Sequence, residues 1–351
     1  MSKNFIIEFM KKIIHKNPIK KISLVLLTLI ISLNISSCGK STEPISKSGT
    51  YFDTIITITL YDSDKESVID GCFKLAQKYE DYFSTTNPDS DIAKINSAGG
   101  KPVKVHSETI DIIKKSLYYS ELTGGKFDIT VGKLSKIWQN AIKSSTIPDD
   151  SEIKNALSTI DYHGIKISGN NVSLSVPDQE LDLGGIAKGY IADRMMEYIF
   201  KKSVKSGIIN LGGNVVVLGD KPDGTKYNIG IQKPFSENGS VITSVEVSDE
   251  SMVTSGTYER FFKKNGIVYH HILDLSTGYP CQNELNSVTI LSKESVDGDA
   301  LSTSCFCLGE EKSRELLKKL GNINAIFVDK NNNITKTYYI ISNRRYLCIL
   351  Q

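Results

Sequence analysis

The residues able to do chemistry fall in four places. Asp182 precedes Leu183-Gly184-Gly185-Ile186-Ala187-Lys188-Gly189, a glycine-rich turn between a strand pattern and a helix pattern. Glycines let backbone approach a ligand closely, a helix start presents N–H groups and the positive end of its dipole, and Lys188 adds a mobile charge. The chemistry this serves is capture of phosphate or pyrophosphate. The segment is neither G-x-G-x-x-G nor a P-loop, because Lys188 is followed by Gly189 rather than Ser or Thr. A tight strand-to-helix turn with an incidental lysine explains it equally well. Asp299 and Thr303 are four apart in a helical pattern and share one face. A carboxylate and a hydroxyl are hard oxygen ligands, suited to Mg²⁺ and poor for zinc. The ordinary alternative is an N-cap by Asp297 or Asp299 and a threonine bonded to its own backbone. His270 and His271 are adjacent in a strand pattern, so they point to opposite faces and only one can serve a site. His271 and Asp274 flank a turn, as a base and its orienter would. Ser255-Gly256-Thr257 forms a polar turn that either donates to a ligand or merely closes a loop. A phosphate cradle, a hard-cation pair and a histidine together describe a site for splitting a pyrophosphate.

These groups need elements to hold them. Apolar residues return at Ile186, Ile191, Met195, Tyr198 and Ile199, which predicts a helix from the glycine-rich turn to about Lys202. Upstream, alternation over 52–61 predicts a strand, and helical spacing marks 67–83, 91–96 and 108–123, the last stopped by Gly124-Gly125. A breaker-rich turn covers 84–90, a compact loop 126–132, and a further helix 148–161. Gly169-Asn170 and Gly212-Gly213 each sit between apolar β-rich runs, predicting two hairpins. Strands are predicted at 227–232, 240–247, 268–273 and 286–291, with a polar turn at 253–260. Helices at 299–308 and 310–320 and a strand at 325–329 follow, then the Asn331-Asn332-Asn333 turn and a last apolar strand. The mixture is α+β with hairpins rather than a repeating β-α-β wheel.

Compartment is written at the start of the chain. Lys11, Lys12, Lys16, Lys20 and Lys21 precede an apolar run over 22–35, too short for a comfortable membrane span and placed where a secretory segment belongs. Ile35-Ser36-Ser37-Cys38 resembles a bacterial lipobox, which implies cleavage before Cys38 and a lipid on its thiol. The expected organisation is therefore a signal peptide over 1–37, a tether over 38–48 and a body over 49–351 outside the cytoplasm. Without residues 1–37 the formal balance is 36 basic against 39 acidic residues, or −3, so no basic field exists for nucleic acid to find. At 40% hydrophobic and 23% charged, the chain has the composition of a folded globular protein, which excludes global disorder. Cys72, Cys281, Cys305, Cys307 and Cys348 fit no metal-binding spacing; Cys305 and Cys307 read as small core residues, and no disulfide framework is expected.

The segments 52–54, 84–90, 127–132, 182–193, 210–214, 254–258, 271–280 and 299–303, in this order over nearly all of the body, resemble the ApbE family of FAD:protein FMN transferases. The resemblance implies a two-lobed, T-fold-like α+β architecture with mixed or antiparallel sheets and FAD between the lobes. It implies Mg²⁺ on the FAD pyrophosphate, held by Asp299, Thr303 and the backbone carbonyl of Gly185. Asp182 and Lys188 would contact FAD, together with Thr86, the Phe127, Asp128 and Ile129 loop, and Ser255. The family often carries an aromatic residue where Thr86 stands. A Thr or Ser hydroxyl of an acceptor protein attacks the FMN phosphorus and AMP leaves, with His271 as proton acceptor and Asp274 nearby. Family acceptors are flavoprotein subunits of membrane redox complexes. The same pocket with water as acceptor would be an FAD pyrophosphatase, and without turnover a flavin-binding lipoprotein.

Overall fold

The structure, a computed structural model, describes residues 43–62, 65–236 and 239–337. The signal segment, Cys38, Cys348 and the end of the last apolar strand lie outside the described residues. Among those described, no helix is long and apolar enough to cross a membrane.

From Pro44 onward the chain is one compact unit, built on an eight-stranded antiparallel sheet in the order β1-β2-β6-β7-β10-β13-β14-β15. Its strands are β1 (Ile45–Tyr51), β2 (Thr54–Leu60), β6 (Gly207–Leu211), β7 (Asn214–Leu218), β10 (Glu250–Gly256), β13 (Leu285–Ser292), β14 (Asn324–Asp329) and β15 (Ile334–Lys336). Period-2 alternation sends successive side chains to opposite faces, and here both faces are covered. Val216, Ile290 and Phe327 join the main core, while their neighbours Val217, Leu291 and Ile326 join a separate cluster. The main core is roofed by α1 (Glu66–Phe83), α6 (Ala187–Lys201) and α7 (Ser295–Leu308). The other face packs against the hairpin β8 (Tyr227–Gln232) and β9 (Val241–Val247) through Tyr227, Ile231 and Val247. Coverage on both sides is why all eight residues of β13 are buried.

Three smaller pieces complete the unit. The helices α2 (Asp91–Ser97) and α3 (Ser107–Leu122) flank a small sheet of β3 (Val103–Lys104), β5 (Asn171–Leu174) and β4 (Ile165–Ser168). A second core gathers Leu134, Trp138, Ala141, Ile153, Ala156, Phe262 and Leu273. It joins α4 (Gly132–Ser144) and α5 (Asp150–Leu157) to the ribbon β11 (Phe261–Lys264) and β12 (Ile267–His270). Last, α8 (Glu310–Leu320) packs on α7.

Three differences from the sequence expectations stand out. The stretch read as a tether ends in strand β1, whose polar residues hid it. Ser46 and Ser48 pair hydroxyls with Thr59 and Thr57 across the edge of the sheet. Its two-residue turn puts Phe52 and Asp53 at positive φ, a strained choice for such side chains that the bond from the Phe52 amide to Glu80 helps to hold. Second, 253–256 is not a turn but the end of strand β10, paired along β13. Third, α4 occupies residues given no element, although Leu134, Trp138 and Ala141 carry helical spacing.

Candidate active site

The glycine-rich turn is held from both sides. The side chain of Asn96 on α2 clasps Leu181, donating to its carbonyl at 2.9 Å and accepting from its amide at 2.7 Å. The Asp182 amide donates to the Ile129 carbonyl at 2.8 Å, which ties the turn to the 126–132 loop. The Asp182 carboxylate accepts from the Gly184 amide at 2.8 Å. Ile186 and Ala187 amides both donate to the Leu183 carbonyl. The expected row of bare amides is thus a correction: those of Gly184, Ile186, Ala187 and Gly189 are already engaged. A Cβ on Gly185 would meet the Phe127 ring at 3.2 Å, so the 126–132 loop lies directly on the turn.

Helices α6 and α7 exchange carboxylates at their beginnings. Asp193 of α6 accepts from the Ser295 and Val296 amides at 2.7 and 2.9 Å, capping α7. Asp299 of α7 accepts from the Gly189 amide of α6 at 2.9 Å. Helix starts leave amides without intrahelical partners, and a carboxylate both satisfies them and complements the dipole. Burial pushes the Asp193 acid up to about 7, with Glu294 and Asp297 adding to that and the two amide bonds opposing it. The exchange requires close backbones. A Cβ at Gly189 would stand 2.3 Å from the Ser295 carbonyl oxygen. Asp299 is therefore not an N-cap of its own helix, since α7 starts at Ser295.

This brings the predicted hard-oxygen pair onto the glycine-rich turn, 110 residues away in sequence. Asp299 is buried, with 4% of its surface exposed. One of its oxygens faces the Gly189 amide and the other faces the Lys188 ammonium at 3.4 Å, which also reaches the Gly184 carbonyl at 3.3 Å. Thr303, one turn on, is 3.2 Å from the Ser255 hydroxyl, which also meets Ser302 at 2.8 Å. Ser255 thus arrives on a strand rather than a turn, beside Thr303. Among the described residues no group of three or more His, Cys, Asp or Glu is poised to hold a metal. The donors present, one buried carboxylate with hydroxyls and carbonyls beside it, fit Mg²⁺, which commonly takes one or two carboxylates and completes its shell with water and phosphate. They do not fit zinc.

The two histidines separate by role. His270 is buried with both ring nitrogens bonded, Nδ1 accepting from the Ile272 amide and Nε2 donating to the Cys281 carbonyl. It is a structural residue. His271 is partly covered, and its Nδ1 is buried with no hydrogen-bond partner. Burial lowers its pKa to about 3, and the charges of Arg260 and Lys188 act in the same sense, so His271 is neutral at pH 7. Asp274 does not orient it. That carboxylate accepts from the Ser276 amide and hydroxyl and from Lys126 at 3.1 Å. Burial alone would raise the Asp274 pKa, and these bonds outweigh it and hold the group below its ordinary value. The pairing of His271 with Asp274 as base and orienter is the second correction at the site.

The remaining expected contacts lie around this centre. Phe127 and Ile129 are buried. The Asp128 carboxylate is spent on the loop itself, accepting from Thr130 and from the Tyr162 amide, while burial raises its pKa. Thr86 is exposed and folds back on Ser84, its hydroxyl 3.2 Å from the Ser84 hydroxyl. Not foreseen were Asp193, the role of Gly189, and which cysteines pair, Cys281 with Cys307. Of the two cysteines read as small core residues, Cys307 is paired and only partly covered, whereas Cys305 is free and buried. The disulfide fastens the 271–280 segment to the end of α7. Its only sequence signal was cysteine count, which leaves pairing open.

Residues 52–327 match the model of the ApbE family. An FAD:protein FMN transferase of Klebsiella pneumoniae is 39% identical over 282 residues, 80% of this chain and 87% of that one. Another, from Treponema pallidum, is 31% identical over 339 residues, 90% of this chain and 94% of that one. Among solved structures, the ApbE protein of Thermotoga maritima is similar with a TM-score of 0.77 at 29% identity, covering 84% of this chain and 97% of that one.

Proposed function

This chain belongs to the ApbE family, and we propose that it transfers FMN from FAD to a Thr or Ser hydroxyl of an acceptor flavoprotein, releasing AMP. The acceptor oxygen forms a bond to the FMN phosphorus, the bond from that phosphorus to the bridging oxygen breaks, and AMP leaves with that oxygen. The observation that carries the reading is the meeting of Asp299 with the Lys188-Gly189 helix start at 2.9 Å, since it gathers charge from both signs around one small volume. Phosphoryl transfer depends mainly on positioning and charge neutralisation. Lys188 supplies a positive charge for the pyrophosphate. Asp299, Thr303 and the Gly185 carbonyl would hold Mg²⁺, which when bound neutralises phosphate oxygens. His271, neutral at pH 7, accepts the hydroxyl proton at Nε2, since its Nδ1 is buried away from any acceptor protein. Lys126 and Ser276 keep Asp274 as a brace of the 271–280 segment.

The working place of the enzyme is the outer face of a cell membrane, anchored by lipid on Cys38, with a redox-complex subunit as acceptor. The signal-like segment and lipobox support this, and so does the Cys281–Cys307 disulfide, since such bonds persist in oxidising compartments.

The test mixes the protein with FAD, Mg²⁺ and an acceptor domain bearing the target threonine, following covalent FMN by mass and AMP by chromatography. Covalent FMN with stoichiometric AMP is the expected result. Neither product would overturn the reading, and AMP released equally fast without acceptor would make the protein an FAD pyrophosphatase instead.

A further inference from the structure

We propose that Lys188 and a divalent cation exchange for one oxygen of Asp299, so that the metal and the FAD pyrophosphate enter the site as a coupled pair. This rests on the metal reading above. Asp299 has two oxygens with different duties. Oδ2 is fixed by the Gly189 amide at 2.9 Å, inside the joint between α6 and α7. Oδ1 faces Lys188 Nζ at 3.4 Å, and that ammonium is also braced by the Gly184 carbonyl at 3.3 Å. The oxygen left for a metal is thus the one the lysine holds.

The two partners differ in freedom. The Asp299 side chain is 6% exposed and clamped, whereas the Lys188 side chain is 27% exposed and ends in a rotatable ammonium on a flexible stem. The lysine is therefore the group that moves. A dication beside Asp299 is repelled by an ammonium left in place, and at this range like charges are worth roughly tenfold or more in affinity. A pyrophosphate offers Lys188 a better anion than a half-shared carboxylate. Its arrival draws Lys188 off Oδ1 and frees that oxygen for the metal. By linkage, the metal favours FAD to the same degree that FAD favours the metal. The exchange also keeps a cation at Asp299 throughout, so the buried carboxylate is never left unpaired.

The test titrates the full chain with Mn²⁺ alone, without nucleotide, and reads free ion by electron paramagnetic resonance. The parent is compared with Lys188→Met and Asp299→Asn, each checked for an intact melting transition; Lys188→Gln replaces the first if it does not fold. Lys188→Met is expected to bind Mn²⁺ roughly tenfold or more tighter than the parent, and Asp299→Asn to lose binding. Unchanged or weaker Mn²⁺ binding in Lys188→Met, with binding lost in Asp299→Asn, overturns the exchange while leaving the metal site standing. Undiminished binding in Asp299→Asn removes the metal site itself, and the exchange with it.

Discussion

Replacing Gly189 by alanine tests the joint between α6 and α7 with a single methyl group. The new Cβ would stand 2.3 Å from the Ser295 carbonyl oxygen and 2.7 Å from Ser295 C and Val296 Cα. All three atoms are backbone, so no side chain can rotate away, and the helices must part by about 1 Å to restore ordinary contact. Two effects oppose each other. Alanine is the better helix former by about 1 kcal/mol. Against that, overpacking costs about 1–3 kcal/mol, and the amide bond to the Asp299 carboxylate is a charge-assisted one worth about 1.5–3 kcal/mol. The Asp193 bonds to Ser295 and Val296 stretch as well. The net expectation is a loss of about 3 kcal/mol, or about 5 °C in Tm for a body of this size. Activity should fall further than stability, because displacing Asp299 from the turn by about 1 Å costs roughly a hundredfold. Thermal denaturation and FMN transfer below the transition measure both. A Gly189→Ala protein that melts at or above the parent and retains transfer would refute the reasoning, since propensity would then have outweighed a contact that yields freely.

Three further outcomes follow from the same geometry. Asp299→Asn keeps an acceptor for the Gly189 amide and should lower transfer at least a hundredfold with little change in Tm, whereas Asp299→Ala leaves that buried amide unsatisfied and should also lose about 1–3 kcal/mol in urea unfolding. His270 is held neutral by burial with its pKa lowered to about 4 against an ordinary 6.5, so its stabilising share is complete above pH 6.5 and is lost as pH falls toward 4. Asp193, raised to about 7, works in the opposite sense over the same window; the measurement is therefore the difference between the parent and His270→Asn, which should shrink by roughly 3 kcal/mol between pH 7 and 4. Replacing both Cys281 and Cys307 by serine, separated by 26 residues, should cost about 3.5 kcal/mol on a chain-entropy estimate and reduce transfer by loosening the 271–280 segment. Melting with and without reductant, and kcat against KM, check it; identical Tm for parent and double variant would contradict it.

Much of the local structure was legible because its causes are local. Gly169-Asn170 and Gly212-Gly213 turn where hairpins are observed, with Gly169, Gly212 and Gly213 at positive φ. Helix α3 ends as Gly124-Gly125 requires, the Gly125 amide closing on Ser120. What failed had distant causes. The start of α7 lies four residues before Asp299 because its cap comes from Asp193 on another helix. Strand β1 carries few apolar residues, so its pairing with β2, not its pattern, defines it. The Asp274 carboxylate faced a choice of partners, and Lys126, 148 residues earlier, took the place expected for His271.

The sequence by itself determined the inventory: a lysine behind a double glycine, a carboxylate and hydroxyl one turn apart, and paired histidines that must face opposite ways. Only the tertiary structure decided that His271 is the histidine with a nitrogen to spare and that Asp299 rests on Gly189. The physical reason is separation along the chain. Spacing dictates which face a residue takes on its own element, but contact between elements 110 residues apart depends on how closely two backbones can approach, and here a missing side chain permits it.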